Sequence, residues 1–115
     1  MTRLPSGIYK IINLFNNKIY IGQSKNIWNR RKQHWTALYH NHHENTQMQK
    51  DWNKYSKYFR FEVVEYCDIS ALNDREKYWI DYYNSIEDGY NQGWSPYKRK
   101  TKKNSVKIIG YRKRS

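Results

Sequence analysis

The chain has 115 residues, enough for one domain with a modest core. Its 22 Lys and Arg residues against 10 Asp and Glu give a net charge of +12, which favours a polyanionic partner. A single cysteine, Cys67, excludes an intramolecular disulfide and a cysteine-rich zinc site. No apolar run approaches the roughly 20 residues of a membrane span, and no signal-peptide pattern is present. We therefore expect a soluble, intracellular protein, most simply a cytoplasmic one.

The first predicted element is a β-hairpin in the segment SGIYKIINLFNNKIYIGQ, residues 6–23. Two runs rich in β-branched and aromatic residues flank Asn16 and Asn17, which accept the backbone angles of tight turns. With a two- or four-residue loop, Tyr9 and Tyr20 share one face, and a four-residue loop places them diagonally, close enough to serve one site. A three-residue loop would separate them. The opposite face is predicted to be the core face and carries Ile8, Ile12, Leu14, Ile19 and Ile21, with Lys10 as the exception.

Two helices are predicted after the hairpin. The first runs from about residue 27 to 39, with Ser24 or Asn26 as its cap. Its apolar positions recur at helical spacing and are Ile27, Trp35 and Leu38. The second covers about residues 46–55 after an Asn45 cap and turns Met48 and Trp52 inward.

A strand over residues 58–66 and a third helix over about 71–83, opened by Asp68 or Ser70, complete the predicted elements. The order is β-β-α-α-β-α. Because a hairpin cannot bury its apolar face alone, the fold class is predicted to be α+β, a small three-stranded antiparallel sheet flanked by about three helices.

The last 20 residues differ from the rest. Residues 1–95 are predicted to form the packed domain, and 96–115 a basic tail that is flexible when unbound, with nine basic residues and no acid. Such a tail suits sequence-independent contacts with phosphates. The predicted DNA-contacting residues are Lys98, Arg99, Lys100, Lys102, Lys103, Arg112, Lys113 and Arg114.

The two tyrosine motifs of the hairpin carry a resemblance. Gly7-Ile8-Tyr9 and Tyr20-Ile21-Gly22 resemble the name motifs of the GIY-YIG nuclease superfamily, and the resemblance extends to about Asn91. It is closest to the catalytic domains of phage and intron homing endonucleases, which is compatible with a phage or mobile-element origin. It implies hydrolysis of double-stranded DNA with one Mg²⁺ or Mn²⁺ per site, by a monomer or a transient dimer on DNA. A catalytically weak or inactive DNA-binding module of the same fold is the alternative, and an RNA-directed protein is a third hypothesis.

Glu76 is the most informative acidic residue. On the third helix it follows an inward stripe with Leu72, Trp79 and Tyr83, where a carboxylate is costly unless it is paired or binds a metal. Spacing alone leaves an ion pair with Arg30 or Arg75 as plausible as a metal site. The resemblance favours the metal, because Glu76 matches the family's metal-binding glutamate.

The remaining catalytic assignments also depend on the resemblance. It implies that Tyr9 activates the attacking water, that Tyr20 positions the phosphate, and that Arg30 grips the phosphate. His43 matches the family's active-site histidine and competes with Tyr9 as the base. A cation such as Lys10 or Arg30 would have to lower the pKa of a phenol for it to act near neutrality.

Three further residues are predicted to support the site. His34 lies one helical turn from Arg30, and Gly22 would allow backbone to approach a phosphate. Asn91 matches the asparagine that closes the family domain, in a structural or a phosphate-positioning role. His40 and His42 are predicted to be surface groups, because no second pair of ligands accompanies them for zinc.

Overall fold

The structure is a computed structural model and describes residues 5–93. It confirms the α+β fold class and the predicted element order. The elements are β1 (Gly7–Asn13), β2 (Lys18–Ser24), α1 (Ile27–Tyr39), α2 (Thr46–Tyr55), β3 (Phe59–Tyr66) and α3 (Leu72–Tyr83), with short 3₁₀ turns at Ser56–Tyr58 and Ile69–Ala71. The predicted boundary at residue 95 and the predicted DNA-contacting tail lie outside the described residues.

The hairpin turn contains four residues, 14–17, and this fixes the register of the two tyrosines. Asn17 adopts a φ of 65°, and the Asn16 side chain accepts a hydrogen bond from the Lys18 amide at 3.0 Å. In the resulting register Tyr9 lies opposite Gly22 and Tyr20 opposite Ile11. The predicted diagonal arrangement of Tyr9 and Tyr20 is therefore confirmed.

The three strands form an antiparallel sheet in the order β2-β1-β3, and both faces are covered. We call the first the site face; it packs on α1 and α2, and its fully buried residues include Tyr9 and Ile11. The second, the α3 face, buries Ile8 and Ile21 against α3. The prediction of a single core face was incomplete, because apolar residues occupy both sides of β1.

Two residues of the predicted core face have other environments. Leu14 lies in the turn beyond the end of β1 and is 46% exposed, so its assignment to the core was wrong. Lys10 lies on the α3 face, where its Nζ is 3.3 Å from Glu62 and 3.4 Å from the Tyr83 hydroxyl. Since Tyr9 lies on the opposite face, Lys10 is not the cation beside the paired tyrosines.

The helix starts agree with the sequence for α1 and α2 but not for α3. Asn26 and Asn45 are N-caps whose side chains accept from the amides three residues on, at 3.1 and 3.0 Å. Neither Asp68 nor Ser70 caps α3; its N-cap position is Ala71, which makes no side-chain hydrogen bond. The 3₁₀ turn, closed by the Ala71 amide on the Asp68 carbonyl, leads directly into α3 and takes the place of a capping side chain.

The outer edge of β2 is covered by the segment that follows α3. The Tyr90 amide donates to the Ile19 carbonyl at 2.9 Å. The Asn91 side chain accepts from the Ile21 amide at 2.7 Å and donates to the Ile21 carbonyl at 3.0 Å. This contact satisfies backbone groups of an edge strand without adding a strand. Among the helices in residues 5–93, none has the length and apolarity to cross a membrane.

Candidate functional site

A buried chain of three polar side chains starts at Tyr9 on β1. The Tyr9 hydroxyl is 2.7 Å from His34 Nε2, and His34 Nδ1 is 2.7 Å from His43 Nε2. His34 comes from the inward side of α1, and His43 from the loop between α1 and α2. The two imidazoles are nearly parallel, with an interplanar angle of 15°. Tyr9, His34 and His43 thus form one continuous chain of contacts.

Gly22 makes room for the Tyr9 phenol. The two residues are opposite each other in the hairpin, and a Cβ atom at Gly22 would lie 2.3 Å from the Tyr9 hydroxyl oxygen. No side chain fits at that distance from a ring that is itself buried. Position 22 therefore requires glycine because the Tyr9 ring occupies the space that a side chain would need. The sequence of β2 alone does not reveal this requirement.

Tyr20 and Arg30 lie beside this chain. The Tyr20 ring is 6.5 Å from the Tyr9 ring and 5.6 Å from the His34 ring, measured between centroids. Burial raises the pKa of both phenols above the ordinary value, and the positive charge of Arg30 opposes this rise. The guanidinium of Arg30 is half-buried and donates to Gln33 Oε1 at 2.9 Å. Arg30 is thus a cation that acts on both tyrosines.

The two buried histidines, His34 and His43, are held neutral. Burial lowers the pKa of His34 to about 3, and the charges of Arg30 and His43 act in the same direction. Burial also lowers the pKa of His43; Glu44 opposes this effect and Arg30 adds to it. Each imidazole therefore has one protonated and one unprotonated nitrogen at neutral pH.

Glu76 reaches the site from α3. Its side chain is buried, and Gln23 Nε2 donates to its Oε1 at 2.9 Å. Arg75, one of the two predicted ion-pair partners, instead binds Glu65 with an Nε–Oε1 distance of 2.8 Å. Glu76 lines an open cleft of about 280 Å³, whose other lining residues are Tyr20, His43, Glu44, Asn45, Asn91, Gln92 and Gly93.

The cleft fits a hydrated divalent cation of the Mg²⁺ type. Its walls supply the buried Glu76 carboxylate, the Glu44 carboxylate and side-chain amides, and Mg²⁺ binds oxygen ligands and keeps several waters. Among residues 5–93 no group of three His, Cys, Asp or Glu side chains is arranged to hold a metal ion. A cation here would accordingly have few protein ligands.

The supporting residues divide into two kinds. His34 belongs to the buried chain itself. Asn91 uses its side chain to hold β2, and its Oδ1 accepts from the Ser85 hydroxyl at 2.7 Å as well as from the Ile21 amide. These contacts support a structural role for Asn91. His40 and His42 are exposed, and His42 lines a smaller cleft of about 180 Å³ beside Arg30.

Two site residues were not identified as such from the sequence. Gln23 lies near the end of β2 on the α3 face and contacts Glu76, and the strand pattern alone does not indicate this contact. Asn45 was assigned only as a helix cap, but its amide donates to His43 Nδ1 at 3.0 Å. The signal for Asn45 was its position two residues after a histidine, a spacing that permits a local hydrogen bond.

Fold and site together define a small catalytic domain, and the comparisons with known proteins give the family. Residues 5–91 match the GIY-YIG catalytic domain, and the chain belongs to this family. Over 90 residues the chain is 34% identical to intron-associated endonuclease 1 of Enterobacteria phage T4. That match covers 76% of this chain but 37% of the phage protein.

Two solved structures have the same fold. The catalytic domain of the homing endonuclease I-TevI matches with a TM-score of 0.71 at 33% identity, covering 76% of this chain and 98% of that domain. A glutamate-to-alanine mutant of the I-TevI catalytic domain matches with a TM-score of 0.70 at 33% identity, covering 77% and 94%. Both likenesses extend over nearly the whole of the solved catalytic domain.

Proposed function

We propose that this chain is an endonuclease domain that hydrolyses phosphodiester bonds of double-stranded DNA with one divalent cation, Mg²⁺ or Mn²⁺, per site. The observation that carries the proposal is a cleft lined by Tyr20, His43 and Glu76, with His34 and Tyr9 joined to His43 through successive hydrogen bonds. Relatives named as endonucleases support it. We further propose that the domain acts as a monomer or a transient dimer on DNA, in the cytoplasm of its host cell.

The proposed roles follow from where each side chain lies. Arg30 is a planar cation beside both tyrosines, suited to hold phosphate oxygens as negative charge develops. Tyr20 lines the cleft, and its hydroxyl would donate a hydrogen bond to the phosphate. Glu76 would hold the cation, which when bound supplies positive charge next to the leaving oxygen.

Tyr9 is the better candidate for orienting and deprotonating the attacking water. Both ring nitrogens of His43 are within hydrogen-bond distance of protein groups, His34 at 2.7 Å and the Asn45 amide at 3.0 Å. His43 therefore has no nitrogen left to accept a proton from water without breaking a contact. The phenol is at the end of the chain, and its ordinary pKa near 10 is raised by burial, so it needs added positive charge to act near neutrality.

The test is a cleavage assay on long duplex DNA. Supercoiled plasmid incubated with the protein and Mg²⁺ should be nicked or linearised, a chelator should stop the reaction, and mapping of the ends would give the site preference. Binding without cleavage at any metal concentration would instead indicate an inactive DNA-binding module. A single-stranded RNA of the same length, added as competitor, distinguishes DNA from RNA as the preferred partner.

The tail is proposed as an electrostatic arm. Deleting residues 96–115 removes nine positive charges and should weaken duplex binding uniformly across sequences while reducing the dependence of affinity on salt concentration. The measurement is the slope of log affinity against log salt for the full chain and the truncated chain. Equal slopes would show that the tail does not contact the phosphates.

A further inference from the structure

The backbone amide of Asn45 determines the direction of the hydrogen bonds that link His43, His34 and Tyr9. A backbone N–H can only donate, so the 3.0 Å contact with His43 Nδ1 requires that nitrogen to be unprotonated. A neutral imidazole with unprotonated Nδ1 carries its proton on Nε2. The direction of the first hydrogen bond is therefore set by the backbone and not by either imidazole.

The remaining directions follow one after another. His43 Nε2–H points at His34 Nδ1 at 2.7 Å, so His34 accepts there and carries its own proton on Nε2. His34 Nε2–H then points at the Tyr9 oxygen, also at 2.7 Å. The opposite direction would leave His43 with two unprotonated nitrogens, or would set a His43 Nδ1–H against the Asn45 N–H. Neither is compatible with a neutral, buried pair.

We propose that the backbone amide of Asn45 sets the proton positions of His43 and His34, so that the chain ends as a donor on the Tyr9 oxygen. Asn45 is thus a positioning residue that acts on Tyr9 through two imidazoles. The assignment of proton positions is independent of the reaction, whereas its catalytic consequence rests on the proposed function.

Neighbouring residues hold Asn45, His43 and His34 in this hydrogen-bonded arrangement. Asn45 is itself anchored, since its side chain donates to the Tyr90 carbonyl at 2.7 Å and accepts from the Met48 amide at 3.0 Å. The buried Gln49 side chain accepts from the His43 amide at 2.9 Å. His34, His43 and Asn45 are 2%, 8% and 6% exposed, so water has little access to compete for these bonds. The low pKa of His34 agrees with a neutral pair.

The direction of the chain has a consequence for Tyr9. Its oxygen accepts a hydrogen bond from His34 and lies beside the Arg30 cation, so the Tyr9 proton is not in the contact with His34 and cannot pass to that residue. When Tyr9 is ionised, the same His34 N–H donor stabilises the phenolate. The imidazoles therefore act as an oriented donor and not as a relay that removes the Tyr9 proton.

Nitrogen-15 NMR of the full chain tests the proton positions directly. With histidine labelled on both ring nitrogens, protonated and unprotonated nitrogens have well-separated shifts, and the exposed His40 and His42 serve as internal references. We expect the Nε2–H form for both His34 and His43 in the range pH 6–8. A protonated Nδ1 on either residue would overturn the proposal. The expected tautomers in a protein that does not cleave DNA would uphold it while refuting the proposed function.

A pair of variants isolates the amide. Asn45→Ala and Asn45→Pro both lose the side chain, but the second also loses the N–H, and the φ of −84° at Asn45 is close to that of proline. Asn45→Pro should populate Nδ1–H on His43 and cleave about tenfold more slowly than Asn45→Ala, in kcat rather than KM. Identical His43 shifts in two folded variants would contradict the proposal. Should Asn45→Pro not fold, the tautomers of the wild-type chain remain the deciding measurement.

Discussion

The two faces of the sheet use the same strand, β1, for different purposes. On the α3 face Ile8 joins Ile21, Leu72 and Ile80 in an apolar cluster. On the site face Tyr9 is equally buried, but its neighbours on α1 and in the following loop include His34 and His43. The α3 face combines this apolar cluster with polar contacts of Lys10 and of Glu76, whereas the site face buries a continuous series of hydrogen-bonded polar side chains.

The site lies where these two faces meet, at the edge strand β2. Tyr20 reaches the cleft from the site face, and Glu76 reaches it from the α3 face with Gln23. Asn91 covers the edge between them. At an edge strand, side chains from opposite faces of a sheet can line a common cleft. Substitutions on the site face should therefore reduce the cleavage rate, whereas substitutions on the α3 face should reduce only the stability of the fold. Glu76 is the exception on α3, because it lines the cleft.

The largest expected effect is at that exception. Glu76→Ala should slow Mg²⁺-dependent cleavage by about 1,000-fold, because the proposed cation loses its carboxylate, while DNA binding remains. Asp81→Ala on the exposed side of α3 is the matched control and should cleave normally. Initial rates of plasmid nicking measure both variants. Full cleavage by Glu76→Ala would show that α3 contributes packing only.

The next effect is at Tyr9. Tyr9→Phe keeps the ring on the site face but removes the hydroxyl, and we expect cleavage to fall by about 100-fold or more. The variant also leaves the His34 N–H without its acceptor, which costs about 1–3 kcal/mol of stability.

A control with a similar cost to stability is Tyr90→Phe, whose hydroxyl bonds Asn13 and Asp51 away from the cleft. It should lose stability but not the cleavage rate of folded molecules. Cleavage by Tyr9→Phe at the wild-type rate would make Tyr9 a packing residue. The two losses are compared through urea unfolding and nicking rates measured on the same preparations.

Much of the fold could be predicted from local patterns. The asparagine pair in the turn and the caps Asn26 and Asn45 are short-range signals, and the structure confirms them. The second covered face was missed although β1 carries apolar residues on both sides, because Tyr9 and Ile11 were not counted as core. The start of α3 depends on backbone hydrogen bonds of a 3₁₀ turn, which leave no capping residue to recognise.

The site was less accessible to sequence reasoning, for a physical reason. Spacing places Arg30 and His34 on one side of α1, but their distance from Tyr9 depends on how α1 packs on the sheet. The bond from His43 to His34 joins residues nine apart through a loop whose path no pattern specifies. The hydrogen bond between the Asn45 amide and His43 is a backbone contact, and side-chain motifs do not report it.

A third prediction concerns pH and depends on the buried histidines, which are found on the site face. The pKa of His34 is near 6.5 in the unfolded chain and about 3 in the folded protein, lowered first by burial and then by Arg30 and His43. As pH falls below 6.5 the unfolded chain binds the proton first, so stability present above 6.5 is progressively lost towards pH 3. The loss from pH 7 to 5 should be about 2 kcal/mol for this group.

Urea unfolding at pH 7, 6 and 5 measures this loss. His34→Gln removes the titrating group and retains a donor and an acceptor, so its stability should fall less over the same range. His40→Gln, on the exposed surface, is the control and should match the wild type. Parallel curves for wild type and His34→Gln would mean that His34 does not oppose folding when it is charged.

The smallest expected effect compares two isoleucines on the same strand. Ile8 and Ile11 are both fully buried on β1, Ile8 on the α3 face and Ile11 on the site face opposite Tyr20. Ile8→Val and Ile11→Val each remove one methylene and should each cost about 1 kcal/mol in unfolding free energy. Ile11→Val should also slow cleavage by a few fold, since its gap lies against Tyr20, whereas Ile8→Val should leave the rate of folded molecules unchanged. The two variants make the same chemical change on opposite faces of β1. An equal loss of cleavage rate in both would show that a packing defect on either face disturbs the cleft, and it would contradict the proposed difference between the two faces.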